Sequence, residues 1–240
     1  MPLLEENPSF TGRPEIHNFA GILFDMDGTI VDSTDAIVKH WHKIGKELGV
    51  DPAVILQSSH GRRSIDTLQL YDPSKANWEY VSHVEGLIPH QFGLDAVEVP
   101  GARNLLASLE AAKAPWAIVT SGTRPLVTGW LDVMKLAHPR NLVVAEDVKE
   151  GKPDPECYRL GRERLGLSTK ARVLVVEDSP AGIRAGNAAS CSVVGLATTH
   201  SIAQLRGTSD WIVKDLQSVR FVHRNADTGE VGIEISNWLE

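Results

Sequence analysis

The chain has little cysteine: Cys157 and Cys191 are the only two in 240 residues. Two isolated thiols build neither a disulfide framework nor a zinc site, whose ligands come in close pairs. Cys191 sits in the small-residue turn Ala188-Ala189-Ser190-Cys191-Ser192 and reads as a packed thiol. No apolar run approaches the ~20 residues that cross a bilayer, so no membrane partner is expected. The opening stretch is polar and acidic with scattered proline, which is not the pattern of a secretory signal. Residues 1–18 therefore read as a loose N-terminal extension, and a reducing cytoplasm is the expected compartment. Basic runs are missing as well. With 24 Lys and Arg against 31 Asp and Glu the net charge is −7, which disfavours nucleic acid as a partner. It does not exclude an anionic small-molecule substrate, because the local field of a cleft outweighs the total charge. Internal repeats and low-complexity tracts are absent. Nothing identifies an oligomeric partner, and a monomer is compatible with the sequence.

What is present is ordinary globular composition, 42% hydrophobic and 23% charged, and enough length for one large domain or two smaller ones. The apolar run Ala20-Gly21-Ile22-Leu23 reads as a buried strand, and it runs into Phe24-Asp25-Met26-Asp27-Gly28-Thr29. Two carboxylates two residues apart at a strand end repel unless a cation or a shared proton intervenes. Gly28 lets the chain turn there and Thr29 adds a hydroxyl. The spacing suits a Mg²⁺ site in which Asp25 attacks and Asp27 moves a proton, although two solvated aspartates at a strand end share the same pattern.

Helical periodicity follows over residues 33–48, with Asp32 or Ser33 as N-cap and Gly49 as C-cap, then over 52–57, 64–71 and 78–88. No strand is expected across that span. After Pro100-Gly101 the pattern alternates: helices over 102–113, 124–135, 155–165, 181–189 and 202–205, and strands over 116–120, 142–145, 172–176, 192–196 and 211–213. That predicts an α/β fold, a Rossmann-like doubly wound parallel sheet, interrupted after its first strand by a helical insert of roughly 70 residues. Such an insert is a natural lid. Residues 218–222 and 231–235 read as a terminal hairpin.

Three more strand ends or following loops carry polar groups. Thr120-Ser121-Gly122-Thr123 offers hydroxyls and a free amide for phosphate oxygens, or a plain helix cap. Gly151-Lys152-Pro153 holds a lysine on a constrained backbone, or simply begins a helix. Glu177-Asp178 follows a fully apolar strand, as metal ligands or as an acidic cap. Together they form a set for phosphoryl transfer. In this order Asp25, Asp27, Thr120-Ser121, Lys152 and Glu177-Asp178 resemble the four motifs of the haloacid dehalogenase superfamily over nearly the whole chain, and the insert resembles its C1-type cap. The resemblance implies a core of residues 19–32 and 101–240 and a cap of residues 33–100. It implies Asp25 as nucleophile, Asp27 as acid and base, Ser121, Gly122 and Thr29 at the substrate's phosphoryl group, and Lys152 as its neutralising cation. Mg²⁺ would be held by Asp25, the Asp27 carbonyl and Asp178, with Glu177 contributing directly or through water. Ser59-His60-Gly61-Arg62-Arg63, Glu85–Pro89 and the terminal hairpin are similar to fungal glycerol-phosphate phosphatases and, less closely, 2-deoxyglucose-6-phosphate phosphatases. On that likeness His60, Arg62 and Arg63 face the catalytic centre and help select the substrate. Trp41 and Trp78 read as cap core, and Glu85 as a hydroxyl ligand or a surface carboxylate. The activity implied is hydrolysis of a small phosphorylated polyol or sugar. The alternatives are a sugar phosphomutase, which would re-phosphorylate an intermediate, and a non-catalytic phosphate-binding regulator. A dehalogenase has no use for Asp27, and a phosphonate hydrolase needs a cap lysine that does not stand out.

Overall fold

In the computed structural model, which describes residues 9–59 and 61–239, the chain runs through β1 (Glu15–Phe19) and β2 (Gly21–Phe24) into β3 (Val31–Asp32). Helices α1 (Thr34–Leu48), α2 (Pro52–Ser59), α3 (Ser64–Tyr71), α4 (Trp78–Gly86) and α5 (Ile88–Phe92) follow, and β4 (Val97–Glu98) returns antiparallel beside β3. The chain then alternates through α6 (Ala102–Ala111), β5 (Trp116–Val119), α7 (Arg124–Met134), β6 (Asn141–Val143) and α8 (Glu156–Arg164). It continues through β7 (Val173–Glu177), α9 (Pro180–Ala188), β8 (Ser192–Leu196), α10 (Ile202–Leu205) and β9 (Trp211–Val213). The hairpin β10 (Val219–Arg224) and β11 (Val231–Ile235) completes it. Among the described residues no helix is long and apolar enough to cross a membrane.

The main sheet has the strand order β6-β5-β2-β7-β8-β9, and every neighbouring pair is parallel. All residues of β2, β5 and β7 are buried, as expected of central strands covered on both faces. Side chains alternate across a strand. Ile22 and Phe24 therefore pack with α6 and α7 side chains such as Leu106 and Trp130 on one face. Leu23 packs with Tyr158 of α8 and Ile183 of α9 on the other. The inserted helices bury a separate cluster of Trp41, Ile44, Ile55, Leu68 and Val81.

Three local expectations are corrected. Residues 15–19, read within a loose extension, form β1 and pair antiparallel with β11. Their polar composition hides this, because the strand is held by ladder bonds and one buried anchor, Phe19. Residues 1–8 of that extension lie outside the described residues. The span 33–88, read as free of strands, carries none among its described residues; the two-residue strands β3 and β4 flank it, too short for any periodicity to register. The helix over 78–88 breaks at Leu87, and Pro89 lies in the first turn of the next helix, because proline has no N–H to continue a helical ladder and is tolerated where that donor is not needed. The strand over 142–145 ends at Val143, and Ala145–Asp147 form a 3₁₀ turn.

Candidate active site

The carboxyl ends of β2, β5 and β7 converge, which is where an open parallel sheet leaves its crevice. The Asp25 amide still donates to the Val176 carbonyl at 3.0 Å, so the first acid is fixed by the sheet itself. The chain then wraps round the Met26 carbonyl, which accepts from the amides of Ile30 (2.8 Å) and Val31 (3.1 Å). This turn needs Gly28 at φ +82°, and a Cβ there would collide with the Asp178 carboxylate. Asp27, half-buried on the bend, accepts a 2.5 Å hydrogen bond from Ser33 Oγ. Ser33, one of the two residues expected as N-cap, stands at that position of α1, but its hydroxyl makes no cap hydrogen bond and is turned onto Asp27.

Lys152, buried in the loop before α8, spends its three protons on Asp25 Oδ1 (2.5 Å), Glu177 Oε1 (2.6 Å) and the Val119 carbonyl (3.2 Å). Burial disfavours its charge, but Asp25 and Glu177 overcome that and hold it well above the ordinary lysine value, so it remains an ammonium. Asp25 is pushed well above the usual carboxylate range by burial, with Lys152 opposing and Glu177 and Asp178 adding repulsion. Burial also pushes the neighbouring Cys157 thiol up to about 12, which keeps it protonated.

Asp25, Glu177 and Asp178 each bring a carboxylate oxygen within 4.8 Å of the others. Their availability differs. Glu177 Oε1 accepts from Lys152 and from Tyr158 (2.9 Å), and Oε2 accepts from the Asp178 and Ser179 amides (3.0 and 2.9 Å) and Ser179 Oγ (3.0 Å). Five donors saturate a carboxylate. Glu177, expected to meet the metal directly or through water, belongs to this cluster and also anchors Lys152 and the start of α9. Asp178 is aimed from both sides by hydroxyls: Thr29 Oγ1 at 3.4 Å and Thr199 Oγ1. With one ammonium among three buried carboxylates the cluster is one cation short, and its all-oxygen donor set suits a hard divalent ion.

A cavity above this cluster is lined by Asp25, Asp27, Ser121, Gly122 and Asp178 from the sheet edge. Helical-insert residues including His40, Trp41, Arg62 and Glu85 form its other walls. Ser121 Oγ donates to the Gly61 carbonyl at 3.0 Å, so the loop of the insert lies directly over it. That close approach requires Gly61, at φ +71°, where a Cβ would stand 2.9 Å from Ser179 Oγ. The Gly122 amide, expected to face a phosphate, donates to Thr120 Oγ1 at 3.0 Å. Thr29 and Arg63, both expected at the substrate, do not line the cavity. Thr29 is wholly buried against Asp178, and Arg63 clamps Asp66 (2.7 and 2.8 Å) and the Val148 carbonyl (2.9 Å) beside Trp78. A basic residue at a helix start is drawn to the acid one turn on, which outcompetes the cavity. Arg62 is exposed at the cavity wall, and His60 lies outside the described residues. Trp41, read as core alone, also lines the cavity, beside a His40 whose burial lowers it to about 4 and leaves it neutral.

Glu85 is buried, not on the surface, and accepts from Ser64 Oγ (2.5 Å) and the Thr123 amide at the start of α7 (2.7 Å). Burial pushes it from 4.5 up to about 7, against those hydrogen bonds and with some repulsion from Asp27. A folded value above the unfolded one means the folded state binds the proton more tightly. That stability is complete below the unfolded value and lost as the pH rises through about 7. Relative to Glu85→Gln, the wild-type protein is expected to lose up to about 3 kcal/mol of unfolding free energy between about pH 4 and pH 8. Urea unfolding of both proteins across that range checks it, and a pH-independent difference would refute it.

Residues 22–196 match the family described as haloacid dehalogenase-like hydrolase. The chain is 41% identical over 238 residues to Glycerol-1-phosphate phosphohydrolase 1 of Saccharomyces cerevisiae, covering 95% of each chain. It is 38% identical over 237 residues to 2-deoxyglucose-6-phosphate phosphatase 1 of the same yeast, covering 90% of this chain and 95% of that one. Its fold is similar to the crystal structure of a hydrolase from Pseudomonas syringae, with TM-score 0.71, 24% identity, and coverage of 82% of this chain and 94% of that one. With the family match spanning most of the chain, and its sheet-edge acids placed as above, the protein belongs to the haloacid dehalogenase-like hydrolases.

Proposed function

We propose that this protein is a magnesium-dependent phosphatase that hydrolyses a small phosphorylated polyol or sugar, of the glycerol phosphate or 2-deoxyglucose 6-phosphate type, through phosphorylated Asp25. The observation that carries this is Asp25 itself: a buried carboxylate, fixed by the sheet and by Lys152, at the floor of a cavity roofed by inserted helices. The two yeast phosphatases support the substrate class.

Asp25 attacks phosphorus and forms an acyl phosphate as the ester P–O bond breaks. Asp27, oriented by Ser33, gives its proton to the departing alkoxide. A water then attacks the phosphorus, Asp27 takes the water's proton, and phosphate leaves as the Asp25 carboxylate returns. Ser121 donates to a phosphoryl oxygen. It has one hydroxyl proton, so that donation releases the Gly61 carbonyl and with it the loop of the insert. Gly122 contributes space rather than its amide. Lys152 acts from behind Asp25 as a fixed positive charge, aimed by Glu177 and Tyr158. Magnesium, held by the Asp25 and Asp178 carboxylates and the Asp27 carbonyl, would supply the missing positive charge that lets a carboxylate approach a phosphate dianion. Residues 33–100 act as a cap on the core of residues 19–32 and 101–240. Their separate hydrophobic cluster, and the β3–β4 pair where the insert leaves and returns, support that division. Two free buried thiols fit a cytoplasmic setting.

Phosphate release from glycerol phosphates and 2-deoxyglucose 6-phosphate, with and without magnesium, is the test. Turnover is expected with the metal and is expected to vanish after chelation. Asp178→Asn should raise the magnesium needed for half-maximal rate on the order of tenfold or more. Undiminished hydrolysis after exhaustive chelation would overturn the reading.

A further inference from the structure

The cavity has a polar floor, where the phosphoryl group belongs, and a second half bounded by the insert. The insert lines it with apolar Ile37, Trp41, Leu56 and Ile88 beside polar His40 and Ser64. Among the described residues Glu85 is the one acid that helices α1–α5 bring to it. The residue is 4% exposed, lines the cavity and comes from α4. Among the described residues no Lys or Arg pairs with it; its partners are a hydroxyl and a backbone amide. An ionised carboxylate has about four acceptor positions and no donor. Two are taken, so the remaining capacity can accept only from a group that brings a proton.

We propose that Glu85 is a specificity-determining residue that confines the enzyme to uncharged, hydroxylated leaving groups: it accepts a hydrogen bond from a hydroxyl of the polyol or sugar and repels a leaving group that carries a carboxylate or a second phosphate. The inference rests on the phosphatase reading above and says which half of the substrate that site tests. Attraction and exclusion come from the same atom set, because a buried acceptor favours a donor and penalises an anion at once. Arg62 carries the opposite charge on the same cavity but is exposed, where water screens it. Glu85 acts from a desolvated position, so its sign prevails. Burial raises its value to about 7, so acceptance and exclusion act where the carboxylate is ionised, on the alkaline side of that value.

The experiment compares glycerol 3-phosphate with 3-phosphoglycerate, which differ in leaving-group charge, using the full chain with magnesium at about pH 8, where Glu85 is ionised. Wild type should favour the first. Glu85→Gln keeps the size and a hydrogen-bonding partner for both Ser64 and the Thr123 amide. It should lower kcat/KM on glycerol 3-phosphate while holding or raising it on 3-phosphoglycerate, narrowing the ratio by roughly tenfold or more. If both substrates fall by one common factor, Glu85 only positions the α7 amide and the proposal fails. Should that variant not fold, wild type is tested on the methyl ester of 3-phosphoglycerate. Recovery of turnover on the ester by roughly tenfold over the acid supports charge exclusion, and equal rates overturn it. A wild-type protein inert toward all three would remove the phosphatase reading itself, and this inference with it.

Discussion

Asp25→Asn should abolish phosphate release, by on the order of 10⁴- to 10⁶-fold, while leaving the fold intact. The amide cannot attack phosphorus, and no neighbour can replace it. Glu177 is saturated by five donors, Asp178 is held by two threonines, and Asp27 is oriented by Ser33. Folding should survive because Asp25 is held by its backbone bond to Val176, which the substitution keeps. The change also removes a charge that burial and its neighbours already disfavour, and Lys152 retains Glu177 as its ion partner. The thermal midpoint should therefore stay level or rise. Steady-state phosphate assays beside thermal unfolding measure both halves. Substantial turnover in a folded variant would eliminate Asp25 as nucleophile.

Lys152→Met should damage both stability and rate. One side chain serves two buried carboxylates, at 2.5 Å and 2.6 Å, and both lie in the protein interior. Removing one partner of a buried pair strands the others, at a cost of roughly 3–5 kcal/mol, or on the order of 10 °C in a chain of this size. Catalysis should fall by about 10²–10³-fold or more with the loss of a preorganised charge beside the transferring group. The pH dependence has a definite sign. Asp25 already sits above its ordinary value, and Lys152 is the group opposing that rise. Without it the folded state holds the Asp25 proton more tightly, so the variant should regain stability as the pH falls. A variant as stable as wild type at neutral pH would mean that the buried charges are relieved by other means.

Much of the site is legible from residue order because its chemistry sits at strand ends. Asp25, Asp27, Ser121, Lys152, Glu177 and Asp178 each follow an apolar run or a constrained turn, and a parallel sheet brings such positions to one edge. What escaped were the residues that aim them. Tyr158 lies 19 residues from Glu177, and Thr199 lies 21 from Asp178. Each looks ordinary in its own helix or loop, since a hydrogen bond across the fold has no local periodicity. Ser33 was closer to discovery, only six residues from Asp27, yet a serine before a helix reads as a cap wherever it occurs. Arg63 shows the reverse error: its charge was legible, and its direction was not.

The sequence by itself determined the alternation of apolar strands and amphipathic helices, the insert after the first strand, and the placing of acids and a lysine at strand ends, which the family resemblance reads as a phosphoryl-transfer set. The alternation and the insert follow from composition and spacing, which are properties of neighbours in the chain. The tertiary structure alone decided how labour is divided among like residues. It spends Glu177 on Lys152 and leaves Asp178 beside Asp25, turns Arg63 away from the cavity, and buries Glu85 within it. Burial and distance set what a carboxylate or a guanidinium can do, and neither is a property of the residue until the chain has folded around it.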